Sequence, residues 1–182
     1  MPVYHSRFNA CQEMIGNIAL LPIKTNFKGP ALKMDTNSDE VDIIDEAILY
    51  FKPNIFFREF EIKGPGDRTM IYLILYISEC LRKITKCQDR IQAQKDLTML
   101  ALNQKIPIPG DVDFPLNAMY KAPQNKTETE GMRQYLQQLR QEMGQRLIEM
   151  VYGADGTPSK WWMCFSKKRF LEKSLIRQGV MI

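Results

Sequence analysis

One run of eight apolar residues, Met70-Ile-Tyr-Leu-Ile-Leu-Tyr-Ile77, restricts the fold more than any other feature of the chain. It has no polar face, so as a helix it must be enclosed on every side. A buried strand is the alternative, since Ile and Tyr favour strands. Extent decides between them: Cys80, Leu81 and Ile84 continue at helical spacing past Glu79 and Arg82. The spacing therefore predicts a helix from about Asp67 to Thr85, starting after the breaker Gly64-Pro65-Gly66 and ringed by the other elements. The run is also far shorter than the roughly 20 residues a membrane span needs. The first residues lack a charged stretch followed by an apolar one, so a soluble, non-secreted protein without membrane insertion is expected.

Around that helix the chain reads as follows. Residues 1–36 form an irregular or extended arm, broken by Gly16, Pro22 and Gly29-Pro30, with a short strand at 17–21. Asp39 is placed to cap a first helix whose apolar face is Val41, Ile44, Ile48 and Phe51 and which ends or kinks at Pro53. Beyond it Ile55, Phe56, Phe57 and Phe60 pack onto the core. A weaker third helix runs from about Gln88 to Gln104, and Ile106 to Leu116 is a proline-rich loop long enough to suggest function or ordering by a partner. Thr127 and Glu130 make a capping box for a fourth helix carrying Met132, Leu136, Leu139, Met143, Leu147 and Met150, stopped by Gly153. Thr157-Pro158 opens a fifth. The expected fold is all-α: one compact domain over 1–182 of about five helices, one central and buried, with an extended N-terminal arm and a proline-rich loop.

Catalytic chemistry is hard to find. The single histidine, His5, stands near the chain end and makes a poor general base. Gly64-Pro-Gly-Asp-Arg-Thr69 lacks the GxxxxGK[ST] layout that cradles phosphates. Asp155-Gly156-Thr157 is like the end of a phosphatase DxDGT motif, but Gly153 stands where the nucleophilic aspartate belongs. Asp111 and Asp113 could hold a cation weakly or simply be solvated. Asn125-Lys126-Thr127 matches a glycosylation sequon too short to weigh. Cys11, Cys80, Cys87 and Cys164 include no CxxC pair, and Cys80 and Cys87 lie about 10 Å apart along a helix. Reduced thiols of a cytosolic protein fit, with no metal and no cofactor.

Charge is where the chain departs from an ordinary globular composition. From Pro158 to Ile182 there are six basic residues against one acid, net +5, while the remainder has 19 basic and 20 acidic residues, net −1. The same segment holds Trp161, Trp162, Phe165, Phe170 and Leu171. Trp, Phe, Met and Arg are residues that interface cores prefer. An acidic partner would dock here, through Lys160, Trp161, Trp162, Lys167, Lys168, Arg169 and Lys173. The plainer reading is a core helix whose aromatics face inward and whose lysines face water. Nucleic-acid binding uses the same residue types, but the rest of the chain is slightly acidic.

Several long words then carry a resemblance: Ile15-Gly-Asn-Ile-Ala-Leu-Leu-Pro-Ile23, Phe27-Lys-Gly-Pro30, Asp42-Ile-Ile-Asp-Glu-Ala-Ile48, Asp67-Arg-Thr-Met-Ile-Tyr72, Tyr76-Ile-Ser-Glu-Cys-Leu81, Pro107-Ile-Pro-Gly110, Phe114-Pro-Leu-Asn-Ala118, Arg133-Gln-Tyr-Leu-Gln-Gln-Leu-Arg-Gln-Glu142 and Pro158-Ser-Lys-Trp-Trp162. In this order, from about Tyr4 to Leu175, the chain resembles the subunit 3 family of the actin-related protein 2/3 complex. The resemblance implies a small all-helical fold with one helix enclosed, and a non-catalytic subunit of a seven-subunit assembly that nucleates branched actin filaments. It implies actin-related protein 3, the other subunits and the actin filament as partners, nucleotide bound elsewhere in the complex, and a place in the cytoplasm at cortical actin structures. Two departures stand out: Pro53 interrupts a stretch the family makes helical, and Ile176 to Ile182 is more apolar than the family's tail. The basic segment faces either the filament or a sister subunit.

Overall fold

The computed structural model describes residues 3–177. Five helices and two small sheets make up the described fold: β1 (Met14–Ile15), β2 (Ile18–Ala19), β3 (Ile23–Lys24), β4 (Lys33–Met34), α1 (Ile43–Asn54), α2 (Pro65–Ile84), α3 (Arg90–Leu102), α4 (Lys126–Val151) and α5 (Lys160–Met163). A 3-10 turn follows at Phe170–Glu172. The expectation of an all-α fold is thus overturned: the fold is mixed, though rich in helix. The β1–β2 pair is antiparallel, with Met14 opposite Ala19. The β3–β4 pair is parallel, with Ile23 opposite Lys33. All four strands lie in the N-terminal arm. Ile18, Ala19, Leu21 and Ile23 are buried there, and buried backbone groups need partners that an irregular arm does not supply from within. Short ladders supply some of them.

α2 is the axis of the molecule. Every residue from Thr69 to Leu81 is buried, as its lack of a polar face demands. α1 and α4 pack on it, and α3 lies against α4. The proline-rich loop between α3 and α4 also contributes to the core through Ile106, Ile108, Phe114, Leu116 and Tyr120. Its order therefore comes from its own apolar side chains.

Helix starts are shifted from their sequence positions. α1 is capped by Asp42, whose carboxylate accepts from Asp45 N–H while Asp45 accepts from Asp42 N–H. Asp39 lies outside the helix. α4 is capped by Asn125, which accepts from Glu128 N–H, rather than by Thr127. Pro53 sits in the last turn of α1, and the helix ends one residue later at Asn54. A proline there costs little, since it removes one donor close to a helix end.

Polar side chains of α2 and α4 hold the arm. Tyr135 donates its hydroxyl to Ala19 O at 2.8 Å and accepts Leu21 N–H at 3.1 Å. Gln138 accepts Ala31 N–H and donates to Phe27 O. The buried Asp67 carboxylate takes Ser6 N–H, Lys63 N–H and His5 Nδ1, the last at 2.7 Å. Gly66 lets this approach happen: a Cβ there would stand 2.6 Å from the Phe8 carbonyl carbon.

Candidate functional site

The basic C-terminal segment is not the long fifth helix its Thr157-Pro158 start suggests. Ser159 caps a single turn, its hydroxyl accepting Trp161 N–H, and after Met163 the chain turns irregularly. Phe170 then plunges into the core, fully buried against Phe60 with ring centres 5.8 Å apart. Leu171 and Glu172, which follow, both adopt left-handed backbone with φ of 53° and 60°. Such a conformation is costly for residues other than glycine. It persists because Phe170 and Leu175 are anchored on either side and Leu171 N–H donates to Phe57 O.

This path sorts the segment's residues. Trp162 is buried and stacks on Phe51 at 5.9 Å. Trp161, its neighbour, is 80% exposed. Lys160, Lys167, Lys168, Arg169 and Lys173 are all exposed. Of the seven residues picked out by sequence, one is therefore core and six are surface. Gln178 to Ile182, the apolar end of the segment, lie outside the described residues.

The surface does not belong to this segment alone. Lys52 of α1 places its ammonium 4.3 Å from the Trp162 ring centre. Phe56, just past α1, is 62% exposed and packs edge-on against Phe165 at 5.7 Å. Lys168 sits 5.5 Å above the Phe56 ring. Phe165 in turn packs edge-on against buried Phe51. Cations within about 6 Å of a ring centre are attracted to its face, so two of the ammonium groups are positioned by aromatics. Leu49, 60% exposed, precedes Lys52 by three residues on α1, the spacing of one helix face, and Phe56 follows just beyond the helix end. Arg58 pairs with Glu172 at 3.5 Å. Sequence reasoning missed Leu49, Lys52, Phe56 and Arg58. Spacing could have put Leu49 and Lys52 on one face of α1, but not the remote side chains that meet Lys52 and Phe56.

Elsewhere the residues weighed for chemistry have structural partners. Asp111 faces Arg133 at 3.7 Å and Asp113 faces Arg177 at 3.6 Å. Asp155 accepts the Thr157 N–H and hydroxyl, making a local turn. The Cys80 thiol is pushed up by burial, and burial with the Asp96 carboxylate pushes Cys87 up to about 11. Neither is poised as a nucleophile. Among the described residues no group of three or more His, Cys, Asp or Glu could hold a metal, and no helix is long and apolar enough to cross a membrane.

What the arrangement offers is a rigid aromatic and cationic face, suited to binding protein. Comparison with known proteins shows the family. Residues 1–175 match the family model P21-Arc, described as the ARP2/3 complex ARPC3 (21 kDa) subunit. The chain is 58% identical to the probable actin-related protein 2/3 complex subunit 3 of Caenorhabditis elegans, over 99% of each chain. It is 50% identical to subunit 3 of Schizosaccharomyces pombe, over 96% of this chain and all of that one. With the Saccharomyces cerevisiae subunit 3 the identity is 44%, again over 96% of this chain and all of the relative. The chain belongs to the 21 kDa subunit family of the actin-related protein 2/3 complex.

Proposed function

We propose that this chain helps attach the actin-related protein 2/3 complex to the side of an existing actin filament, turning its basic, aromatic face to the filament. As a member of the family it is a structural, non-catalytic subunit of that complex, associated with the cytoplasmic actin cytoskeleton. Filament attachment, support of branch nucleation, contact with actin-related protein 3 and residence at cortical actin are the finer parts of the proposal. One observation carries it: the positive excess of an otherwise slightly acidic chain lies in its last 25 residues, whose lysines are all exposed, Lys168 over the Phe56 ring and Lys160 next to Trp161 in the chain. An acidic filament side would complement them. Contact with sister subunits would then fall to other faces, such as the outer edge of α3, where Ile91 and Met99 are each 71% exposed.

Single exposed ion pairs contribute about 0–1 kcal/mol, so several cations must act together. The test reverses Lys167, Lys168 and Arg169 to glutamate in the assembled complex and measures branch density. Branching should fall steeply. Normal branching from a fully assembled variant would eliminate the filament reading, and failure of the variant chain to co-purify would place the segment against a sister subunit instead.

A further inference from the structure

The cations are the visible part of the basic face, but its geometry is organised around rings. Phe56 is wedged between Phe165 and the Lys168 ammonium, and Phe165 rests on Phe51, which is fully buried. The exposed ring is thus buttressed through one intermediate ring onto the core. Trp161 stands beside Trp162, which is stacked on the same Phe51 and covered by Lys52. The Phe56 ring is therefore held before docking, while Trp161 starts from backbone fixed by the Ser159 cap, so that docking it freezes only its two side-chain torsions. Preorganised aromatics ringed by polar groups are where binding energy concentrates in protein interfaces. Rim charges mainly steer association and set its salt dependence.

We propose that Phe56 and Trp161 are the anchors of this surface. Their occupant is an acidic protein face with an apolar recess, into which the rings insert while Lys52 and Lys168 pair with the carboxylates around it. This rests on the reading of the basic face as filament-facing and assigns a division of labour within it: rings hold, charges steer.

The experiment uses assembled complexes carrying Phe56→Ala, Trp161→Ala, Trp161→Phe or the triple reversal of Lys167, Lys168 and Arg169. Binding to preformed actin filaments is measured by co-sedimentation over a salt series. Each alanine variant should weaken binding about tenfold with the slope against salt unchanged, Trp161→Phe should restore most of the loss, and the triple reversal should flatten the slope. If both alanine variants bind like the parent while the triple reversal does not, the anchor assignment falls and the filament reading stands. Unchanged binding in every variant overturns both. Loss of the alanine variants from the complex means that the rings face a sister subunit, which overturns the assignment to the filament.

Discussion

Arg146 of α4 closes on Asp42, the N-cap of α1, with two guanidinium N–H groups each 2.7 Å from one carboxylate oxygen. The same guanidinium reaches Asp45 at 2.9 Å and donates to Lys24 O in the arm. One side chain thereby ties together the longest helix, the start of α1 and β3. Asp42 has no exposed side-chain area and Arg146 only 18%.

Removing Arg146 would strand that carboxylate, so Arg146→Ala should destabilise the chain by about 3 kcal/mol, read from the urea midpoint. The pH dependence has a definite sign. Burial alone would raise the Asp42 pKa, but Arg146 and the backbone N–H groups of Asp45 and Lys24 outweigh it and hold the carboxyl below its ordinary 3.8. A depressed carboxyl contributes stability that is present above the unfolded value and lost as pH falls through the folded one. The gap between parent and variant should therefore be widest near neutrality and close as pH drops below 3.8.

Tyr135→Phe should cost about 1–3 kcal/mol, because Leu21 N–H and Ala19 O lose a buried partner. The loss is local. Hydrogen exchange of amides in residues 18–23 should accelerate well before that of α2. Uniform acceleration across the chain would show that the arm and the helices open as one unit.

The left-handed pair in the C-terminal segment predicts an unusual response to glycine. Glu172→Gly should leave stability unchanged or raise it by up to about 1 kcal/mol, since relief of backbone strain offsets the entropy glycine adds to the unfolded chain. Glu172→Val should destabilise by about 1–2 kcal/mol, because a branched side chain tolerates that backbone poorly. Thermal midpoints of the two variants compared with the parent give the order.

Burial patterns that repeat along a helix were open to reading in advance. α2 and α4 lie within two residues of their expected bounds because long apolar stripes leave little choice of face. The strands were harder: each is two residues long, and no period shows in two residues. Asp42 displaced Asp39 as the cap of α1 through its reciprocal bonds with Asp45, an i, i+3 pair open to reading, and Arg146 fixes it further from another helix, a contact that spacing cannot reveal. In the proposed docking surface, counting charges picked out Lys160, Lys167, Lys168, Arg169 and Lys173, all of which are exposed. Phe56 was expected in the core with Ile55 and Phe60, yet it faces out, because Phe165 and Lys168 arrive beneath and above it from the far end of the chain. The same remoteness hid Lys52, whose ring partner is Trp162.

The clasp on the arm also bears on how the chain is made. Leu21 waits for Tyr135, 114 positions later, and Lys24 waits for Arg146, 122 positions later. During synthesis the arm emerges before α4, and until α4 has been translated its apolar stretch from Ile18 to Ile23 has only part of its seat, on α2, where the Thr69 hydroxyl donates to Ala19 O. Loop closure over such distances is slow relative to local helix formation. The arm, translated well ahead of its clasp, is thus among the last parts to settle, and a ribosome-bound fragment ending before α4 would leave that stretch only partly covered and open to chaperones.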